Sequence, residues 1–237
     1  MAAHQLYVFN QNYSSWSLRP LIVVLKFDLP VNVSAFNLAD PVSKAEAKKL
    51  STTGFLPALT VASRYTVSDS LAILETLAEL FPEKKIWPTA FEQRAKARAI
   101  AAEMHSGFSN IRNFLTCNLR VRYPAQSWSA DVSSEIKRVL TIWENARTEA
   151  VSSENDDGWL FGQFSAADAM YFPVVSRFLT YCVAIDADEF PLAKAYFNRV
   201  FTDDTVKKMY RTGEEEDWVI EKYENVYPGM TFGKLVA

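Results

Sequence analysis

The apolar positions follow one kind of pattern up to about residue 81 and another beyond it. Residues 6 to 9, "LYVF", form a continuous apolar run suited to a buried strand. Leu18, Leu21, Leu25 and their neighbours then fall at helical spacing over residues 18 to 27. "VNVSAF" alternates, with Val31, Val33 and Ala35 on one face, and predicts a strand. "SKAEAKKL" from Ser43 predicts a short polar-faced helix, and "PALTVASRYTV" two short strands about a turn at residues 62 to 64. A helix is predicted from Ser70 to Leu80, with Leu71, Leu74, Leu77 and Phe81 at helical intervals. The order β-α-β-α-β-β-α suits one small sheet covered by helices.

Pro82 and Pro88 bracket "EKKIW", which reads as a linker. Beyond it the pattern is helical throughout. Ile100, Met104, Phe108, Ile111 and Leu115 recur at steps of four, four, three and four, predicting one long helix from Phe91. Ile136, Val139, Leu140, Trp143 and Ala150 mark a second helix, and Phe172, Val175, Leu179 and Cys182 a third. Shorter helices are expected over 189–225, and an irregular tail in "YPGMTFGKLVA". The expected organisation is an α/β domain over 1–82, a linker over 83–90 and an all-α domain over 91–237.

Composition excludes several kinds of function. A net charge of -3 leaves no basic field for nucleic acid or an anionic membrane. The aliphatic run "LIVVL" is far too short to span a bilayer. The two cysteines, Cys117 and Cys182, form no motif and read as free thiols in a reducing compartment, so a cytoplasmic location is expected. There are two histidines, His4 and His105, far apart, and no cluster has zinc spacing. Seven glycines supply neither a dinucleotide fingerprint nor a phosphate loop, so neither metal nor nucleotide chemistry is expected.

Candidate chemistry begins at "NQNYSSWSLRPLIVVL", where Ser14, Ser15 and Ser17 stand between the first strand and the first helix. Serine there can cap the helix through its side-chain oxygen. The same position can also hold an anion, because a helix N-terminus carries partial positive charge and unpaired N–H donors. A thiol placed there ionises more easily. Lowering its pKa from about 8.5 to near 6.5 takes roughly 2.7 kcal/mol of differential stabilisation. The chain has no cysteine before Cys117, so a thiolate at this helix end must come from a ligand, and glutathione is the obvious soluble candidate. Pro57 in "GFLPAL" is either an edge-strand proline or part of a cis bond that turns the Leu56 backbone toward an extended peptide. Asp69 and Ser70 stand at another helix start; they cap it, or face the ammonium and carboxylate of a γ-glutamyl group.

These pieces occur in one order, and with it the chain resembles the cytosolic glutathione transferases. "YSSWSLRP", "LPAL", "DSLAILETLAE" and "FSAADAMYFPV" carry the resemblance. The opening motif is similar to the serine-type enzymes, including the zeta class with its Ser-Ser-Cys-Ser signature. The Ser-Ser-Trp-Ser variant and "AEMHSGF" resemble bacterial members. The resemblance implies a thioredoxin-like N-terminal domain, an all-helical C-terminal domain, a homodimer, and glutathione as co-substrate with no metal. It implies catalytic roles for Ser14 and its rival Ser15, and places Ser17, Leu56, Pro57, Asp69 and Ser70 on glutathione. Ser165 and Asp168 match the family's capping box, and their spacing fits a serine-to-acid box independently. Three departures stand out. Trp16 replaces the cysteine of the zeta signature; Gly54-Phe55 replaces a common contact to the glycyl carboxylate, for which Lys44, Lys48 and Lys49 are substitutes; and no cysteine supports thiol-disulfide exchange.

A small electrophilic substrate would lie between the domains. Arg98, His105, Ser109 and Arg112 recur at steps of seven, four and three, so on one helix they share a face, either solvated or a cleft wall suited to a polar or anionic electrophile. Met104, His105, Phe108 and Arg112 are the candidate substrate contacts, with Met104 and Phe108 also readable as ordinary core, and Asn118 and Arg120 just beyond. The implied activity is glutathione transfer of the kind used in detoxification. The alternatives are a glutathione-dependent isomerase, dehalogenase or peroxidase at the same site, or a binding module without turnover.

Overall fold

In the computed structural model, which describes residues 3–224, 226 and 233–234, the first apolar run becomes strand β1 (His4–Phe9). It is continuous because β1 is central. It pairs in parallel with β2 (Val31–Phe36) and antiparallel with β3 (Ala58–Val61), and β4 (Tyr65–Ser68) closes the order β2-β1-β3-β4. Alternate residues of β1 enter two apolar clusters. Leu6 and Val8 join the main core with helices α1 (Ser15–Lys26) and α3 (Ser70–Leu80). Phe9 meets Ala47 of α2 (Pro41–Lys49) on the opposite face, with Leu56 and Ala58. This is the small mixed sheet covered by helices that the β-α-β-α-β-β-α pattern anticipates.

The second region is helical: α4 (Phe91–Ser106), α5 (Ser109–Phe114), α6 (Ala130–Ala150), α7 (Ala166–Thr180), α8 (Pro191–Thr202), α9 (Asp204–Glu215) and α10 (Glu221–Glu224). Helix α7 is buried along nearly its whole length and packs against α1 and α4, so one continuous core joins sheet region and bundle. Its start is locked by Asp168. One carboxylate oxygen accepts from the Ser165 N–H (2.8 Å) and hydroxyl (3.0 Å), the other from the Leu160 N–H (2.9 Å). This satisfies buried donors that would otherwise be orphaned at a helix end.

Several expectations need correction. The predicted long helix through Leu115 breaks. Helix α4 stops at Ser106, and a Cβ on Gly107 would lie 2.8 Å from the Glu103 carbonyl, so the compact exit from the helix needs glycine there. Phe108 follows in the left-handed region (φ 56°) and α5 restarts at Ser109. The apolar period runs on across the break because both pieces pack on the same core. In β2, Val31 is buried but Val33 is 38% exposed, since β2 is the sheet edge and is only partly covered. The segment read as a linker is packed: Pro82–Lys84 form a 3₁₀ turn, Ile86 and Trp87 are buried, and the Ile86 carbonyl accepts from the Ala166 N–H (2.8 Å). Helix α7 ends before Cys182, which has φ 48°. Of the expected irregular tail, Gly233–Lys234 pair as a short strand, β6, with β5 (Val121–Arg122). Residues 227–232 and 235–237 of that tail lie outside the described residues.

Candidate active site

Two clefts meet at the start of α1. The larger, about 530 Å³, is lined by Ser14 and Trp16, by Lys44, by Thr53 to Pro57, by Asp69 and Ser70, and by His105. The smaller, about 270 Å³, is lined by Tyr13 to Trp16, Arg112, Thr116, Cys117, Arg177 and Tyr223. Ser14, Trp16 and Leu38 belong to both walls.

Helix α1 begins at Ser15, earlier than the apolar spacing suggests, because polar Ser15 and Ser17 are turned inward and buried. Ser14 occupies the N-cap position without making a side-chain cap. Its hydroxyl is instead 2.9 Å from Ser17 Oγ, which accepts the Phe9 N–H at 3.0 Å. Ser17 is thus anchored to the last residue of β1, and Ser14 donates its hydroxyl to Ser17 Oγ. Capping, the simpler reading of Ser14, is therefore not what its side chain does.

The turn that presents Ser14 is held from the helical region. Glu216 accepts the N–H groups of Gln11 (2.9 Å) and Asn12 (3.1 Å), and Asn12 Oδ1 accepts those of Leu119 (2.7 Å) and Arg120 (3.2 Å). Tyr13 donates its hydroxyl to Glu224 and accepts from Arg120 Nη2 (2.8 Å). Burial, with the hydrogen bond to Glu224, pushes the Tyr13 phenol up to about 12, so it stays protonated as a fixed strut. Burial likewise pushes the Glu216 carboxyl up.

Across the larger cleft stands the start of α3. Asp69, with φ 86°, accepts the N–H groups of Leu71 (2.9 Å) and Ala72 (3.1 Å) through one oxygen; its other oxygen lies 3.0 Å from His105 Nε2. The capping role of Asp69 and its place on the cleft wall coexist. Ser70 is buried with a hydroxyl that has no partner among the described residues, at the positive end of α3. Leu56-Pro57 is a cis peptide bond, and both residues line the cleft. Lys44 of the three candidate lysines reaches this cleft, beside Thr53, Gly54 and an exposed Phe55.

The structure therefore gathers Ser14, Leu56, Pro57, Asp69, Ser70 and His105 around one cleft, with Ser17 behind Ser14. Ser15 faces the smaller cleft, and its carbonyl accepts from Arg19. Arg112 also lines the smaller cleft. Met104 and Phe108 line neither and sit in the core. Arg98 lines neither cleft and pairs with Glu75 (2.8 Å), although it shares helix α4 with His105; the break after Ser106 separates Arg112 from both. Asn118 and Arg120 support Tyr13 rather than line a cleft.

Sequence reasoning missed the wall between the clefts. Trp16, noted there as a departure, has the His105 ring edge-on at 5.4 Å and the guanidinium groups of Arg19 and Arg112 over it at 4.2 and 5.5 Å. It also missed Arg19 and Arg177. Each interrupts an otherwise apolar helix in "SLRPLIVV" and "FPVVSRFL", and a charge on a buried helix face is the signal that marks them. Burial lowers the Arg19 guanidinium to about 9 and lowers Arg177, and it raises the Cys117 thiol between them. Among the described residues, no group of three or more histidine, cysteine or acidic side chains could hold a metal ion, and no helix is long and apolar enough to cross a membrane.

Comparison with known proteins agrees with this architecture. Residues 13–80 match the family model described as glutathione S-transferase, N-terminal domain, and residues 126–199 the one for the C-terminal domain. A maleylacetoacetate isomerase from Pseudomonas aeruginosa is 26% identical over 190 residues, covering 77% of this chain and 85% of that protein. A glutathione transferase homolog from Burkholderia gl BGR1, solved with bound glutathione, superposes with a TM-score of 0.65 at 19% identity, covering 90% of this chain and 100% of that one. A glutathione transferase from Methylococcus capsulatus has a TM-score of 0.62 at 21% identity, covering 89% and 98%. Both halves of the fold and the two matched domains lead to one conclusion: this chain belongs to the glutathione transferase family.

Proposed function

We propose that the chain binds glutathione in the larger cleft and activates its sulfur as a thiolate for attack on an electrophilic co-substrate. The observation that carries this reading is a Ser14 hydroxyl that caps nothing, at the positive end of α1, on the wall common to both clefts. On binding, Ser14 turns its hydroxyl proton from Ser17 to the sulfur, and Ser17 holds Ser14 in place until then. The thiol proton leaves to solvent, the sulfur lone pair forms the new bond to carbon, and the bond broken there sends its pair out with a leaving group or, in an addition, onto the conjugated carbonyl oxygen. The unpartnered Ser70 hydroxyl and the α3 terminus receive the γ-glutamyl carboxylate, and Asp69 receives its ammonium. Leu56 pairs its backbone with the cysteinyl residue, and Lys44 takes the glycyl carboxylate. The protein supplies position and electrostatics; the ligand supplies the nucleophile.

The test is the ionisation of bound glutathione, followed by its ultraviolet thiolate absorbance across pH. A bound thiol that ionises well below the free one in the wild type, and not in Ser14→Ala, supports the reading; equal ionisation in both proteins refutes the role of Ser14. The likeness to a maleylacetoacetate isomerase favours a second reading, glutathione-dependent isomerisation. Isomerisation returns glutathione unchanged, so loss of free thiol during turnover separates the two. A homodimer is part of the proposal and is checked by sedimentation.

A further inference from the structure

Three guanidinium groups meet around the start of α1 with no carboxylate of the described residues paired to any of them. Arg19 is fully buried. Its Nε and Nη1 donate to the carbonyls of Met170 (3.1 Å) and Ser15 (3.0 Å), and its Nη2 is buried without a partner among the described residues. Arg177 is 4% exposed and donates to the carbonyls of Leu115 (2.6 Å) and Pro173 (3.1 Å), leaving Nη2 without a hydrogen bond among the described residues. Arg112 lies over Trp16 with its Nε buried and unpaired.

The third arginine among the buried side chains, Arg147, is neutralised by Asp156, and several more exposed ones are paired as well. Arg98, Arg138, Arg147 and Arg120 lie 2.8, 2.7, 2.6 and 3.3 Å from a carboxylate. Two acids beside the clefts are already engaged. Asp69 serves α3 and His105, and Glu224 serves Tyr13 and Arg120. Cys117 is a buried thiol whose ionisation burial opposes, so it provides no counter-charge. Buried cations without a partner are costly, and a fold tolerates them where a ligand brings the missing charge.

Arg112 and Arg177 both line the smaller cleft, which shares Ser14 and Trp16 with the larger. We infer that this cleft seats a carboxylate of the co-substrate between Arg112 and Arg177, with the electrophilic carbon of the same molecule turned to the junction at Ser14. The inference rests on the reading of the larger cleft as the glutathione site. Arg112 supplies the planar fork that matches a carboxylate, Arg177 a fixed single donor, and Arg19 the positive field beneath them. The substrate class is a small electrophile carrying an acid group, and Arg112 is its specificity-determining residue.

The experiment uses two enones with the same reacting carbon, 4-phenyl-3-buten-2-one and its para-carboxylate. With either, the sulfur pair forms a C–S bond at the β-carbon, the π pair moves to the carbonyl oxygen, and the proton lost by the thiol returns at the α-carbon. Rates are divided by the uncatalysed ones. The expected result is a kcat/KM for the carboxylate at least about tenfold above that of the neutral enone, with this preference lost in Arg112→Gln and partly kept in Arg112→Lys. No preference in the wild type, or a preference unchanged in Arg112→Gln, overturns the inference while leaving glutathione activation intact.

A second measurement needs no reaction. The saturated para-carboxylate ketone, titrated calorimetrically into glutathione-free protein, should bind, and at least about tenfold more weakly to Arg112→Gln. If neither enone is conjugated, binding with that loss upholds the anion seat although the transferase reading fails; no binding overturns the seat as well.

Discussion

Three helix starts in this protein carry serine and use it in opposite ways. At α7, Ser165 and Asp168 are buried, and the carboxylate serves three donors from the protein itself. At α1 the Ser14 side chain caps nothing, and at α3 the Ser70 hydroxyl is buried without a partner on a cleft wall. The first arrangement is complete and can only stabilise. The other two lack something an external ligand could provide, which is what separates a folding element from a binding one when the residue types are the same.

The comparison breaks first at Asp168. Asp168→Ala strands buried donors and should cost about 3 kcal/mol or more, read as a lower Tm, without changing the ionisation of bound glutathione in protein that remains folded. The same carboxyl gives the contrast a pH signature. Burial raises it from 3.8 to about 6, so the folded state holds the proton more tightly than the unfolded chain does. Its contribution is therefore full below about pH 4 and is lost as pH rises through about 6. Measured against Asp168→Asn, wild-type stability should fall over that window; a rise would show that hydrogen bonding outweighs burial at this site.

Next comes Ser14→Ala. It should lower kcat/KM with glutathione by about 10- to 100-fold, the worth of one hydrogen bond to a charged sulfur, while Tm moves by no more than the equivalent of about 0.5 kcal/mol. A large Tm loss with unchanged turnover would make the α1 start a folding element like that of α7. The smallest effect belongs to Ser70→Ala. It should weaken glutathione binding about 3- to 10-fold and leave stability equal or slightly higher, because the hydroxyl removed is unsatisfied in the free protein.

Much of this was legible before the structure. The continuous run in β1, the helical spacing in α3 and the serine-to-acid box at α7 are local patterns, and each appears where its period places it. The break at Gly107 was hidden because apolar spacing reports which side is buried, and both helices bury the same side. Trp16 reads locally as a substitution in a motif, yet its position between His105, Arg19 and Arg112 is set by three separate elements. Val33 was misjudged because alternation does not reveal that a strand lies at the edge of its sheet.

The sequence by itself determined the elements, the two-part architecture and the small set of hydroxyl and acid residues at helix starts, because backbone propensity, side-chain period and capping act within a few residues. Only the tertiary structure decided which of those starts are saturated and which open on a cleft, and that three arginines from α1, α5 and α7 converge with no carboxylate of the described residues beside them. Those facts depend on groups far apart in the chain whose charges and hydrogen bonds meet only after packing, and no local pattern carries them.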